Sequence, residues 1–288
     1  LEQIYRSRLN SLPVDLKEEI AEYVLQWGMT ATNRRLGILD TFKKHGIHVD
    51  ELGTGTNRLI VRYQGYALKI ALDNEGIDDN RQEWVMSERL YPHIARSHEI
   101  SGGIIQKDDG SMEIIGGHLL VATYVPALSS YGEMMRYQTQ IRRILELFSK
   151  DNLLGDIGIN RKNFANWGLL NGKPVCLDYA YVFPADMKLF KCTCGSDNLE
   201  IIRDTYSSYR CKKCQKVFTD SELRARISNQ KRHQLFSKVE GISMTQEYET
   251  HEVDPKYTKE VKNKIIGPGD YDLMDIARNV SHYYGYHD

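Results

Sequence analysis

Between positions 13 and 45 apolar residues recur at helical spacing, after which shorter apolar runs broken by Gly and Asn take over. Val14, Leu16, Ile20, Val24, Leu25 and Trp27 fall roughly 3.6 residues apart behind Pro13, a residue tolerated at a helix start. The spacing predicts a helix there and a second over 32–45. Runs at 49–52, 59–63 and 66–72, rich in aliphatic and aromatic side chains, predict strands. A helix is expected over 79–93, then strands near Ile104, near Ile114 and over 118–125. Beyond Pro126 the period is helical again, with Met134, Ile141, Ile144, Leu145 and Phe148 on one face. Residues 151–166 are polar and turn-prone, 167–181 read as a small two-stranded turn, 221–238 as a basic helix and 271–284 as a final helix; 239–253 show no clear period.

Composition changes this picture little. A chain of 288 residues has room for one large domain or two of ordinary size, and 41% hydrophobic with 27% charged residues is ordinary for a globular protein. With 38 basic against 39 acidic side chains, the whole-chain charge points neither to nucleic acid nor to an anionic membrane. Apolar runs such as 118–125 are far short of the ~20 residues of a membrane helix, so no membrane partner and a cytoplasmic setting are expected. The chain begins at Leu1, which leaves a longer N-terminus or a removed leader open.

Cysteine usage is uneven: Cys192, Cys194, Cys211 and Cys214 cluster, and Cys176 stands apart as an expected core residue. Cys-x-Cys and Cys-x-x-Cys at the two ends of a hairpin bring four thiols to one tetrahedral ion, which predicts a structural zinc site with no open position. The other reading is a disulfide-stapled hairpin, less suited to a chain without secreted character. Lys191, Lys212, Lys213 and Lys216 favour thiolate over thiol.

A second set of residues is spread along the chain. Gly53 and Gly55 open an apparent hairpin and let backbone N–H groups approach an anion; a plain β-turn is the alternative. Lys69 lies in the apolar run Tyr66-Ala67-Leu68-Lys69-Ile70-Ala71-Leu72, where an inward ammonium needs a carboxylate. Glu83 and Glu88, on the next expected helix, can each supply it; Lys69 turned to solvent would need neither. Asp156, in Leu153-Leu154-Gly155-Asp156-Ile157-Gly158, is a candidate proton acceptor. Asn166 and Asp178 flank Trp167-Gly168-Leu169-Leu170-Asn171-Gly172-Lys173-Pro174-Val175-Cys176-Leu177, a tight turn that delivers an amide and a carboxylate to one end. Such hard oxygen ligands suit Mg²⁺.

Taken in order over about 49–185, these residues resemble the protein-kinase-like superfamily, including its small-molecule kinase branch. The resemblance implies an α+β, two-lobed fold: an N-terminal helical extension over 1–48, an N-lobe over 49–125, and a C-lobe over 126–288 with a zinc-ribbon insert at about 188–219. It implies ATP and Mg²⁺ as cofactors, Lys69 on the α/β phosphates with Glu83 as its partner, Asn166 and Asp178 on the metal, Asp156 at the acceptor, and adenine near 122–125. Glu83 is preferred to Glu88 because Asn80-Arg81-Gln82-Glu83-Trp84 resembles the start of a kinase C-helix at a plausible distance from Lys69. A protein or small-molecule hydroxyl would be phosphorylated. The sequence departs from the family pattern in several places. Arg58 replaces the third glycine, stiffening the loop or placing a guanidinium on phosphate. Leu154-Gly155-Asp156 replaces His-Arg-Asp, and Asp178-Tyr179-Ala180 replaces Asp-Phe-Gly. No Ala-Pro-Glu follows, and Asn160 and Asn163 compete with Asn166 for the metal-binding register. The same departures suit an inactive pseudokinase that binds a protein or nucleic acid through its ribbon, bordered by Arg203, Arg210, Lys212, Lys213, Lys216, Arg224 and Arg226.

Overall fold

The computed structural model describes residues 7–25, 28–106, 112–185, 188–204, 206–219, 222–223, 226–227 and 265–266. Trp27, Arg224, most of the helix expected over 221–238, and the segments 239–253 and 271–284 lie outside the described residues. The chain divides into two compact units, Leu1–Trp84 with Ser97–Thr123 and Phe236–Asp288, and Val85–Arg96 with Tyr124–Leu235.

In the first unit, Leu16, Ile20 and Val24 form the buried stripe of α1 (Val14–Leu25), while Val14 itself faces solvent. The helix α2 (Ala31–Lys44) begins at Thr30, whose hydroxyl accepts from the Asn33 N–H, and buries Ile38 and Phe42. Strands β1 (Asp50–Thr54), β2 (Arg58–Tyr63) and β3 (Tyr66–Ala71) pair antiparallel in sequence. The helix α3 (Asn74–Leu90) follows, then strands β4 (Ser97–Gln106) and β5 (Met112–Thr123). The sheet order is β1-β2-β3-β5-β4, extended beyond β4 by a short strand at Ile265–Ile266. Leu59, Val61, Leu68, Ile70, Leu119 and Val121 pack with Leu9, Leu12, Leu16, Ile20, Ile38 and Phe42 in one core, so the N-terminal helices are covered by the sheet's own apolar face.

Three boundaries differ from the sequence expectation. The segments expected near Ile114 and over 118–125 are one strand, β5, interrupted by Gly116 and Gly117 at φ 79° and 104°. The helix α3 starts at Asn74, because the Asp73 carboxylate accepts from the Gly76 N–H (2.8 Å) and caps it there. Within its first turn Gly76 is required, because a Cβ there would collide with the Asn57 carbonyl. The helical run after Pro126 is two helices, α4 (Tyr131–Arg136) and α5 (Gln138–Phe148), with Tyr137 between them at φ −102° and ψ 8°.

The second unit is built on α5, whose Ile141, Ile144, Leu145 and Phe148 meet Met86, Leu90 and Ile94 in one core. Strand β6 (Asn152–Leu154) pairs with β9 (Val182–Pro184), two short strands that carry too few residues to show a period. Between them, β7 (Trp167–Leu170) and β8 (Lys173–Cys176) form the expected hairpin. Its two-residue turn places Asn171 and Gly172 at positive φ, 51° and 74°, the conformation for which an Asn-Gly pair is selected. The chain is therefore an α+β protein with N-terminal helices and antiparallel sheets. Among the described residues no helix is long and apolar enough to cross a membrane.

Candidate functional site

Strand alternation sets the first group of residues. Leu68 and Ile70 enter the apolar core, so Lys69 points to the opposite face, with Ile60 and Leu120 as its cross-strand neighbours. It is buried rather than turned to solvent, and its ammonium is bonded to Glu83 Oε2. Glu88 is exposed and pairs with Arg96 at 2.8 Å, so Glu83 is the carboxylate that Lys69 meets. Arg58 Nη1 donates to the other oxygen, Glu83 Oε1, at 2.8 Å, and its Nε lies 3.9 Å from Asp79. The reading of Arg58 as a phosphate-facing residue thus gives way to a buried counter-ion: one carboxylate holds two cations. Asn80 fixes the helix to the sheet, its amide donating to the carbonyls of Gly117 (2.9 Å) and Lys69 (3.3 Å). On the same sheet His118 is buried and stays neutral, pushed down to about 4 by loss of hydration and by the nearby Arg81.

Gly53 and Gly55 sit at the β1–β2 turn, where the Gly55 N–H donates to the Arg58 carbonyl (2.9 Å). A Cβ at Gly53 would meet nothing within 4 Å, and one at Gly55 only the Arg58 carbonyl at 3.8 Å. Packing among the described residues therefore does not require glycine at either position.

The second group lies wholly within the second unit. Asn166 ends a short 3-10 turn immediately before β7, and Asp178 follows the end of β8, so the hairpin returns both to its open end. The backbone closes there, with the Leu177 N–H donating to the Asn166 carbonyl at 2.8 Å. Asp178 Oδ1 accepts from the Ala180 N–H (3.4 Å), and the Cys176 thiol points at the Asp178 carbonyl (3.3 Å). The Asn166 amide donates to the Asp156 backbone carbonyl at 2.7 Å, which ties the loop carrying Asp156 to the start of β7 and leaves the amide oxygen outside that bond. The competing asparagines are used otherwise. Asn160 Oδ1 accepts from the N–H groups of Lys162 and Asn163, and the buried Asn163 donates to the Gly158 carbonyl.

Asp156 itself adopts φ 56°, a left-handed conformation that costs a non-glycine residue on the order of 1 kcal/mol or more and persists when its surroundings enforce it. The surroundings do so here. Gly155 donates to the Tyr181 carbonyl (2.8 Å), and a Cβ on Gly155 would come within 2.8 Å of that oxygen, so glycine is needed for the close approach. Trp167 is fully buried and its indole N–H donates to the Ile157 carbonyl at 3.0 Å.

The third group is the four cysteines. Strands β10 (Leu199–Ile201), β11 (Ser208–Cys211) and β12 (Val217–Thr219) form a three-stranded antiparallel ribbon with a knuckle at each end of its thiol set. In one, the Gly195 N–H returns to the Cys192 carbonyl with Gly195 at φ 82°; in the other, the Gln215 N–H returns to Cys211 with Gln215 at φ 61°. All four sulfurs lie within 4.8 Å of one another, and none is in a disulfide. Cys192 and Cys214 are 3.5 Å apart and Cys194 and Cys211 3.6 Å, whereas tetrahedral zinc with bonds near 2.3 Å needs sulfur edges of about 3.8 Å. A disulfide would need about 2.05 Å. The Cys194 N–H aimed at Cys192 brings that thiol down to about 6, and the Cys214 N–H lowers Cys211. At Cys214 the Lys216 N–H favours the thiolate, but hydrogen bonding with Cys192 and burial outweigh it and raise the thiol to about 11. One neighbouring negative sulfur opposes the next, a conflict that a divalent cation removes. The donor set thus fits a structural zinc held by Cys192, Cys194, Cys211 and Cys214.

Sequence reasoning passed over two residues that this geometry brings forward. Arg58 reads in sequence as a loop-stiffening or phosphate-facing residue, and nothing in the sequence marks it as a partner of Glu83. Tyr209, on the middle strand of the ribbon, gave no signal because its partner, Leu154, lies 55 positions away. No protein-family model matches the chain, and no curated protein matches it.

Proposed function

We propose that the chain is an ATP- and Mg²⁺-dependent phosphotransferase of the protein-kinase-like kind, acting on a protein or small-molecule hydroxyl. The observation that supports this reading is that the β7–β8 hairpin returns Asn166 and Asp178 to its open end, where the Asn166 amide is bonded to the backbone of Asp156. The buried Lys69–Glu83 pair of the other unit supports it.

Each residue type suits its part. Lys69, oriented by Glu83, supplies a positive charge for the α/β phosphates. Gly53 and Gly55 place no side chain of their own between the β1–β2 turn and a phosphate, although the Gly55 N–H is already bonded to the Arg58 carbonyl. The Asn166 amide oxygen and the Asp178 carboxylate are the hard ligands for Mg²⁺, which when bound neutralises charge on the β- and γ-phosphates. Asp156 orients the acceptor hydroxyl and takes its proton as the oxygen–phosphorus bond forms. The bond to the bridging β–γ oxygen breaks with its electron pair, and ADP leaves. Among the three asparagines, Asn166 is the metal ligand on this reading, because it alone of them is bonded to Asp156.

The direct test is transfer of radiolabelled γ-phosphate from ATP to water, to the chain itself or to an added hydroxyl acceptor. Asp178→Ala is expected to abolish transfer at least a hundredfold while leaving the thermal midpoint near that of the native chain. Transfer that survives the substitution would exclude Asp178 as a metal ligand. Mg²⁺–ATP binding without any transfer would favour the inactive binding module, with the exposed Lys212, Lys213 and Lys216 of the ribbon as its contact surface.

A further inference from the structure

Tyr209 belongs to the metal ribbon, yet its hydroxyl is spent on the strand that leads into Asp156. It accepts from the Leu154 N–H and donates to the Leu154 carbonyl at 3.0 Å, so both backbone groups of one residue close on one phenol oxygen. Tyr209 is buried, as is Leu154, and Leu154 is also the end of β6 that faces Val182 of β9. A phenol in this position replaces a neighbouring strand: it satisfies the two main-chain groups that β6 leaves unpaired on its second edge. The ribbon's aromatic core reinforces the contact. Phe190, Tyr209 and Phe218 share one apolar cluster with Cys192 and Cys211 and with Ala180, Tyr181 and Phe183, the segment just after Asp178.

We infer that Tyr209 is a positioning residue for Asp156, and that through it the four-thiol metal site holds the acceptor loop in register; this rests on the phosphotransferase reading of Asp156. Three tethers converge on the left-handed turn at Asp156: Tyr209 on Leu154, the Tyr181 carbonyl on Gly155, and the Asn166 amide on Asp156 itself. A sparsely populated backbone conformation holds only while such restraints outnumber the ways to relax. Tyr209 is the tether that comes from the ribbon, two positions before the zinc ligand Cys211. Its position therefore depends on the same metal that orders the ribbon.

The test is Tyr209→Phe in the full, zinc-loaded chain, which deletes one oxygen and leaves the ring. Two readouts are taken: amide hydrogen exchange at 154–156, and phosphoryl transfer from Mg²⁺–ATP to water. The variant is expected to keep one zinc per chain and its Mg²⁺–ATP affinity within about twofold, since Lys69, Asn166 and Asp178 are untouched. Exchange at Leu154 should rise about tenfold and kcat should fall about tenfold, with KM for ATP unchanged. Chelation of zinc from the native chain should raise exchange at the same amides. Unchanged exchange at 154–156 in the variant overturns the inference, and so does faster exchange with native kcat. If the native chain neither binds nor turns over Mg²⁺–ATP, the phosphotransferase reading fails instead, and the exchange measurement alone then decides whether Tyr209 and the metal hold this loop.

Discussion

Glu83→Ala is expected to destabilise the first unit by about 3–5 kcal/mol, the usual consequence of leaving a buried charge without its counter-ion. Here the loss is compounded, because Lys69 and Arg58 both bond to that carboxylate, with Asp79 3.9 Å from Arg58, and all three side chains are at least nine-tenths buried. Lys69→Met should behave differently. Glu83 keeps Arg58 at 2.8 Å, and a methionine of similar length fills the space, so a cost below about 2 kcal/mol is expected. Urea unfolding followed by tryptophan fluorescence checks the asymmetry through the shift in midpoint. Equal losses in the two variants would mean that Glu83 is not the shared counter-ion. The asymmetry also serves function: Lys69→Met becomes a folded chain from which one proposed phosphate contact has been removed.

Removing zinc is expected to have the second large effect. Binding of a structural zinc supplies on the order of 10 kcal/mol in small domains of this kind, and the ribbon's strands are only three or four residues long. Chelation at neutral pH should therefore make 189–219 sensitive to proteolysis and abolish protection of the amides of β11. The same loss should come at lower chelator concentration as pH falls, because protons compete with the metal for four thiolates. Since Ala180, Tyr181 and Phe183 share the ribbon's core, the damage should spread to the strand after Asp178. A ribbon whose protection and cleavage pattern are the same with and without chelator would contradict a metal-held site, and loss of the fold under reductant alone would point to disulfides.

What could be read in sequence was what depends on local pattern. The cysteine pairs, the Asn171-Gly172 hairpin, and the need of a Lys69 buried in an apolar run for a carboxylate all follow from residues a few positions apart. The preference for Glu83 over Glu88 comes from the resemblance of its segment to a kinase C-helix, and the structure pairs Glu83 with Lys69. Other features are set by tertiary contact. The start of α3 at Asn74 was not foreseen, because the Asn57 carbonyl that requires Gly76 comes from a different turn. Asp156 gave no sign of its left-handed backbone, whose enforcing partners Tyr181, Asn166 and, through Leu154, Tyr209 lie well along the chain. The hydrogen bonds of Asn160, Asn163 and Asn166 within this loop likewise depend on its folded turns and could not be read from the sequence. Strands as short as β6 and β9 carry no period to detect.

The most direct test of the central claim is a structure of the chain with Mg²⁺ and a non-hydrolysable ATP analogue. The account predicts one nucleotide with Lys69 Nζ in hydrogen-bond reach of its α/β phosphates, and one Mg²⁺ bonded at about 2.1 Å to Asn166 Oδ1 and to Asp178. A nucleotide bound elsewhere, or Lys69 and Asp178 sharing no ligand, would contradict it.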